Sequence, residues 1–122
     1  MQTFSKTERL CSQVLIDRLV EKGKSFNSFP IRISWLEIAE STSPVKIVIS
    51  VPKRIFKKAV DRNKIKRQIR EVYRKEKQKL YDVLENKKIL VLLVYNAKTK
   101  LEFKELEAKT IEALVRLSKT VL

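Results

Sequence analysis

The residues whose side chains most clearly suggest a binding function are the cations between positions 53 and 79. This segment holds 13 basic and three acidic residues, a net charge of +10 in a chain of +14. Guanidinium and ammonium groups bind phosphate oxygens, and arginine does so through a planar fork of donors. An excess of this size repels itself unless a polyanion binds. The aromatic anchors of a membrane-surface helix are missing, so the segment indicates nucleic acid.

Groups that could cleave a nucleic acid are scarce in the same sequence. There is no histidine, the usual acid–base residue near neutral pH. Asp17, Asp61 and Asp82 are the only aspartates and lie far apart along the chain, so no pair is placed to hold two metal ions. The single cysteine, Cys11, has no histidine to activate it and fits a buried position in an apolar helical pattern. We therefore predict no catalytic residue, no disulfide and no metal site on the protein.

The cations are predicted to lie on one helix that follows Asp61 as its N-cap. At about 100° per residue, Ile65, Ile69, Val72 and Leu80 share one face. The opposite face collects Asn63, Lys66, Arg67, Arg70, Arg74 and Lys77.

A charged face is more often solvated than functional, but a solvated face usually interleaves glutamate with lysine. Like charges four residues apart, such as Lys66 and Arg70, weaken an isolated helix by a few tenths of a kcal/mol. Here only Glu71 and Glu76 intervene, which favours contact with phosphates. The amide of Asn63 suits a ribose 2′-hydroxyl or a base edge, so RNA is favoured over DNA.

The rest of the chain predicts the elements that position this helix. Ser5 and Glu8 fit a capping box for a helix over about 6–22, which Gly23 would end in a left-handed conformation. Thr99 and Glu102 fit a second capping box before a closing amphipathic helix. Further elements are a loop at 26–30, strands at 31–38 and 45–51 separated by a turn at 40–44, and a strand at 89–95 covered on both faces.

These elements predict one α+β domain over residues 1–122, a two-layer sandwich with a mixed sheet of about four strands and three helices. An apolar run of 18 residues and a signal-peptide layout are both missing from the sequence. We therefore expect a soluble, cytoplasmic protein that needs no membrane and no obligate protein partner.

The basic segment closely resembles the signature of the bacterial ribonuclease P protein family. That signature reads S-V-x-K-[KR], then A-V-x-R-N-[RK]-x-K-R-x-x-R-E. It appears here as Ser50-Val51-Pro52-Lys53-Arg54 and, at a matching distance, Ala59-Val60-Asp61-Arg62-Asn63-Lys64-Ile65-Lys66-Arg67-Gln68-Ile69-Arg70-Glu71. An N-terminal F-x-K-x-x-R-L element is present as Phe4-Ser5-Lys6-Thr7-Glu8-Arg9-Leu10. The resemblance extends over the whole chain in element order, length and charge.

What the resemblance implies is a protein subunit that binds a catalytic RNA and the 5′ leader of precursor tRNA, so that the leader is removed. The RNA would perform the hydrolysis with Mg²⁺ that it holds itself. Contacts to the catalytic RNA would come from Lys53, Arg54, Arg62, Asn63, Lys64, Lys66, Arg67, Arg70 and Arg74. A leader cleft between the first helix and the sheet would involve Phe4, Lys6, Arg9 and Trp35. The family also implies a left-handed crossover for the βαβ unit, against the usual right-handed rule.

Two departures from the family pattern affect these expectations. Lys64 stands where arginine is common, which keeps the charge but not the forked geometry. Ile16 and Val20 stand where many members have aromatic residues. Base stacking would then depend on Phe4 and Trp35, each of which could instead be a core residue. A small ribosomal or RNA-chaperone protein that binds structured RNA remains the alternative from another class.

Overall fold

The computed structural model describes residues 13–38, 44–85, 87–99 and 101–121, and these residues form three helices and four strands. Their order is α1 (Gln13–Lys22), β1 (Lys24–Ser28), β2 (Ile31–Ile38), β3 (Val45–Ser50), α2 (Ala59–Leu84), β4 (Lys88–Tyr95) and α3 (Phe103–Thr120).

The strands form one mixed sheet in the order β1-β2-β4-β3. β2 runs antiparallel to both β1 and β4, with Ile33 opposite Leu93. β3 and β4 are parallel neighbours, with Ile47 opposite Val91, and the chain passes between them through α2. The predicted α+β class, with a mixed four-stranded sheet and three helices, is confirmed. The handedness of the β3–α2–β4 crossover stays a prediction.

The main core lies between one face of the sheet and helices α2 and α3. Alternate residues of each strand point into it, among them Ile33, Ile47 and Leu93. Ile69 of α2 and Leu117 of α3, both fully buried, meet them from the helical layer. Burying one such side chain stabilises the fold by roughly 1.5–3 kcal/mol, so this layer holds α2 in a fixed orientation.

The second face of the sheet carries a smaller cluster under α1. Leu19 of α1 packs there with Ile38 of β2 and Leu90 of β4, and all three are buried. β4 therefore has apolar neighbours on both faces, as its continuous apolar sequence predicted. Helix α1 adds a partial third layer to the expected two-layer sandwich.

Several local predictions were wrong for identifiable reasons. Residues 26–28 belong to strand β1 rather than to a loop. Helix α2 begins at Ala59 with Lys58 as its N-cap, so Asp61 lies inside the first turn, where its charge suits the helix dipole. Helix α3 starts after Glu102 without a side-chain cap bond, so the capping box of Thr99 and Glu102 does not form.

Gly23 ends α1 without a left-handed conformation, since the described part of the chain has no glycine with positive φ. Its need for glycine is steric: a Cβ would collide with the Leu19 carbonyl oxygen and approach Leu19 Cδ1 to 2.9 Å and the Trp35 carbonyl oxygen to 3.1 Å. The predicted capping box at residues 5–8, the helix at 6–12 and most of the turn at 40–44 lie outside the described residues.

Candidate nucleic-acid interface

The outer side of α2 carries most of the predicted RNA contacts, and we call it the basic face. Asn63, Lys64 and Arg67 are exposed, whereas Lys66, Arg70 and Arg74 are half-buried. The helix is held by its buried apolar residues, including Ile65 and Ile69. Its cations therefore project from a rigid element, as the periodicity predicted.

Lys77 does not belong to the basic face, contrary to the prediction. Its side chain is only 6% exposed and lines a small cavity between α2 and α3, together with Tyr73 and Leu114. Its Nζ lies 6.0 Å from the centre of the Tyr81 ring. The helical projection failed here because α3 packs over the C-terminal half of α2, and the projection carried no information on α3.

Arg74 is held by a carboxylate of its own helix. Its Nε donates to Oε2 of Glu71 at 3.1 Å, and its Nη2 donates to Oε1 of the same residue. This hydrogen bond lowers the pKa of Glu71 and raises the pKa of Arg74, with the charge attraction acting in the same sense. Both groups therefore stay ionised at neutral pH, and Arg74 meets any phosphate with part of its charge already compensated.

Arg62 is also engaged within the protein. Its Nη1 donates to the backbone carbonyls of Phe56 at 2.7 Å and Lys57 at 2.9 Å. Both carbonyls belong to the β3–α2 loop, residues 51–58, which also carries Lys53 and Arg54. Arg62 therefore uses some of its N–H donors to bind this loop, and only the others remain for a phosphate.

A groove lies on the second face of the sheet, beside the C-terminal end of α1, and we call it the sheet groove. Its volume is about 280 Å³. Arginine, serine and asparagine side chains supply its polar lining, and the described part of the chain contributes no acidic residue to it. The lining residues are Leu19, Val20, Gly23, Ser25, Arg32, Ser34, Arg54, Leu92, Val94 and Asn96.

A second, more open depression adjoins the sheet groove, and we call it the side groove. It has a volume of about 550 Å³ and is lined by Arg54, Ile55, Asn96 and Lys98. Arg54 and Asn96 line both grooves. The loop that contains Arg54 leads directly into α2, so the grooves and the basic face are joined by one short segment.

The sheet groove lies where the predicted leader cleft was expected, between the first helix and the sheet. Of the residues predicted for the cleft, Phe4, Lys6 and Arg9 lie outside the described residues. Trp35 packs against the main core on the opposite face, with Lys24 Nζ 5.5 Å from its ring centre. Trp35 therefore does not line the groove, which corrects that assignment.

Sequence reasoning missed Arg32, Ser34 and Asn96 as groove residues. The signal for the first two was present in the alternation Ile31-Arg32-Ile33-Ser34, which places both on the face away from the core. That alternation could not show that α1 borders the same face. Asn96 follows β4, and its backbone N–H donates to the Pro30 carbonyl at 2.7 Å.

The described residues contain no group of three or more histidine, cysteine, aspartate or glutamate side chains that could hold a metal ion. None of the described helices is long and apolar enough to cross a membrane. The arrangement offers positively charged surfaces for a polyanion, and the prediction of no protein-bound metal stays a prediction.

Comparisons with known proteins, by sequence and by structure, give consistent matches over most of this chain. The family model described as ribonuclease P matches residues 4–118. The ribonuclease P protein component of Porphyromonas gingivalis is 31% identical over 121 residues, covering 97% of this chain and 88% of that protein. The RNase P protein of Staphylococcus aureus has a similar structure, with a TM-score of 0.73, 26% identity and coverage of 96% and 100% of the two chains. The Thermotoga maritima RNase P protein shares the fold, with a TM-score of 0.69, 23% identity and coverage of 89% and 96%.

Proposed function

The chain belongs to the ribonuclease P protein family, and we propose that it serves its RNA partner through two surfaces that meet at the β3–α2 loop. Membership makes it the protein subunit of an endoribonuclease that acts in tRNA processing and associates with ribonuclease P RNA. The alternative of a ribosomal or RNA-chaperone protein has no support in these matches.

The basic face of α2 is proposed as the surface for the ribonuclease P RNA. Asn63, Lys64 and Arg67 are exposed on a helix anchored by buried residues, so phosphates can reach them without any rearrangement of the protein. Cations on a flexible segment would lose conformational entropy when RNA binds. The backbone of α2 is already ordered by its packing, so that part of the cost is avoided.

The sheet groove is proposed as the site of the 5′ leader of precursor tRNA. The observation that carries this proposal is the lining of the groove: Arg32 and Arg54 offer charge to phosphates, and Ser34 and Asn96 offer hydrogen bonds, with no carboxylate among the lining residues that the structure describes. An extended single strand needs such a track along its backbone. The groove shares Arg54 with the loop before the basic face, which would place the leader beside the catalytic RNA.

The hydrolysis itself is proposed to be performed by the RNA, with Mg²⁺ that the RNA holds. The sequence has no histidine, and the described residues offer no cluster of metal ligands. The protein would contribute substrate affinity and positive charge that replaces part of the Mg²⁺ screening between RNA strands. We propose that it does so in the cytoplasm.

The leader site is tested by binding of the reconstituted RNA–protein complex to precursor and mature tRNA. We expect tighter binding of the precursor, because only the precursor has a 5′ strand to occupy the groove. Arg32→Ala should reduce this preference about tenfold, the usual scale of one charge-assisted contact. Lys104→Ala, which removes an exposed cation from α3, should leave the preference unchanged. Equal affinity of the wild-type complex for both tRNAs would exclude a leader site.

A further inference from the structure

We propose that Arg62 is a positioning residue, which holds the β3–α2 loop so that Arg54 stays in the sheet groove. This inference rests on the proposed leader site, since it assigns Arg54 to the leader rather than to the ribonuclease P RNA. It also gives Arg62 a different role from the direct RNA contact that its place in the signature implies.

The hydrogen bonds of Arg62 reach back across the start of α2. One guanidinium nitrogen donates to two successive carbonyls, those of Phe56 and Lys57, at 2.7 and 2.9 Å. Because the donor is charged, each bond is stronger than one between neutral groups. The pair fixes the C-terminal part of the loop against the first turns of the helix.

The loop is also fixed on its other side. The backbone N–H groups of Ile55 and Phe56 both donate to the Pro52 carbonyl at 3.2 Å. The Phe56 ring is buried, and its centre lies 5.9 Å from that of Tyr95. Arg54 lies within this closed turn, so its position follows from contacts on both sides of it.

Arg54 is the part of the loop that the grooves share. It lines both the sheet groove and the side groove, each together with Asn96. Its side chain is exposed, and a phosphate in either groove would lie beside its guanidinium. Loss of the Arg62 bonds would free a loop that carries four cations, Lys53, Arg54, Lys57 and Lys58. Their mutual repulsion would then spread them apart.

The test is a double-mutant cycle on the preference of the reconstituted complex for precursor over mature tRNA. Arg54→Ala and Arg62→Ala should each reduce the preference about tenfold. Arg62→Ala added to Arg54→Ala should cost less than about twofold more, because the residue through which it acts is already gone. Arg116→Ala is the matched control: it removes an arginine of α3 whose Nη1 also donates to a backbone carbonyl, that of Asn27 at 2.7 Å, and it should leave the preference unchanged.

A second readout follows the loop directly in the free protein. Trypsin cuts after lysine and arginine, and the loop offers four such positions. Arg62→Ala should accelerate cleavage within residues 53–58 under native conditions, as local opening becomes more frequent. Arg116→Ala should leave the rate of cleavage within this loop unchanged. Circular dichroism at the assay temperature verifies that each variant is folded, and Arg62→Lys, which keeps the charge but not the fork, replaces the alanine variant if it is not.

The outcomes separate this inference from the leader site itself. If wild type prefers precursor but the two losses add fully and loop cleavage is unchanged, Arg62 contacts RNA directly and the positioning role is wrong. If wild type shows no preference, the leader site fails, and accelerated loop cleavage alone would then establish only that Arg62 fixes the loop, without the functional role proposed here.

Discussion

At the residue scale, the cations predicted to contact RNA differ in whether their side chains already bind a partner within the protein. Arg67 and Lys64 are exposed on α2, whereas Arg74 is bonded to Glu71 and Arg62 to loop carbonyls. Residue type and spacing predicted all four as equivalent RNA contacts. The difference arises from partners that hold two of them, and a helical projection does not show whether such partners are engaged.

The exposed cations are expected to set the salt dependence of binding to ribonuclease P RNA. Arg67→Ala should lower the slope of log affinity against log salt concentration by roughly 0.7–0.9, the contribution of one phosphate contact. Circular dichroism should stay native because the side chain is exposed. A filter-binding titration at several salt concentrations measures the slope, and an unchanged slope would mean that Arg67 is merely solvated.

Removing the carboxylate that holds Arg74 should have the opposite effect. Glu71→Gln releases Arg74 and deletes a negative charge from the basic face, so the same slope should become steeper. The pKa of Glu71 is lowered by its bond to Arg74, so the carboxylate stays ionised through the usual glutamate range. The pair is lost only when pH falls through that lowered pKa. Glu112→Gln on α3 is the control, because its carboxylate likewise pairs with a cation three residues away, Lys109. A shallower slope for Glu71→Gln would show that Glu71 itself orders the RNA contact.

At the element scale, the long and strongly patterned segments were predictable and the short polar one was not. α2, β2, β3 and β4 follow from apolar periodicity, and their predicted bounds lie close to those observed. β1 was missed because its sequence KSFNS has one apolar residue, Phe26, and no alternation. It is a strand because β2 offers it a free edge, with Phe26 opposite Ile33. That pairing is a property of the assembled sheet.

The junction of α1 and β1 gives a stability test at the same scale. Gly23→Ala would ordinarily favour helix formation by up to about 1 kcal/mol. Here the added Cβ would collide with the Leu19 carbonyl, so the melting temperature should fall. The preference for precursor tRNA should fall too, because Gly23 and Leu19 line the sheet groove.

Glu21→Ala is the matched control, since it raises helix propensity at an exposed position of α1. It should leave both quantities almost unchanged. A melting temperature for Gly23→Ala equal to or above that of wild type would contradict the close approach described for this junction.

At the scale of the whole molecule, charge is unevenly distributed. Residues 101–121 hold four basic and four acidic side chains, a net charge of zero, whereas residues 53–79 carry +10. RNA binding was therefore predictable from the composition. The position of α1 on the second face was not, because apolar residues at helical spacing predict burial without showing which face of the sheet they cover.

The most direct test of the account is cleavage of a precursor tRNA by the cognate ribonuclease P RNA at low Mg²⁺, with and without this protein. The protein alone should cleave nothing, because we propose that it contributes affinity and charge and that the RNA performs the hydrolysis. Its addition should restore cleavage at a Mg²⁺ concentration at which the RNA alone is inactive. Cleavage by highly purified protein without the RNA, or no gain in activity when the protein is added, would contradict the account.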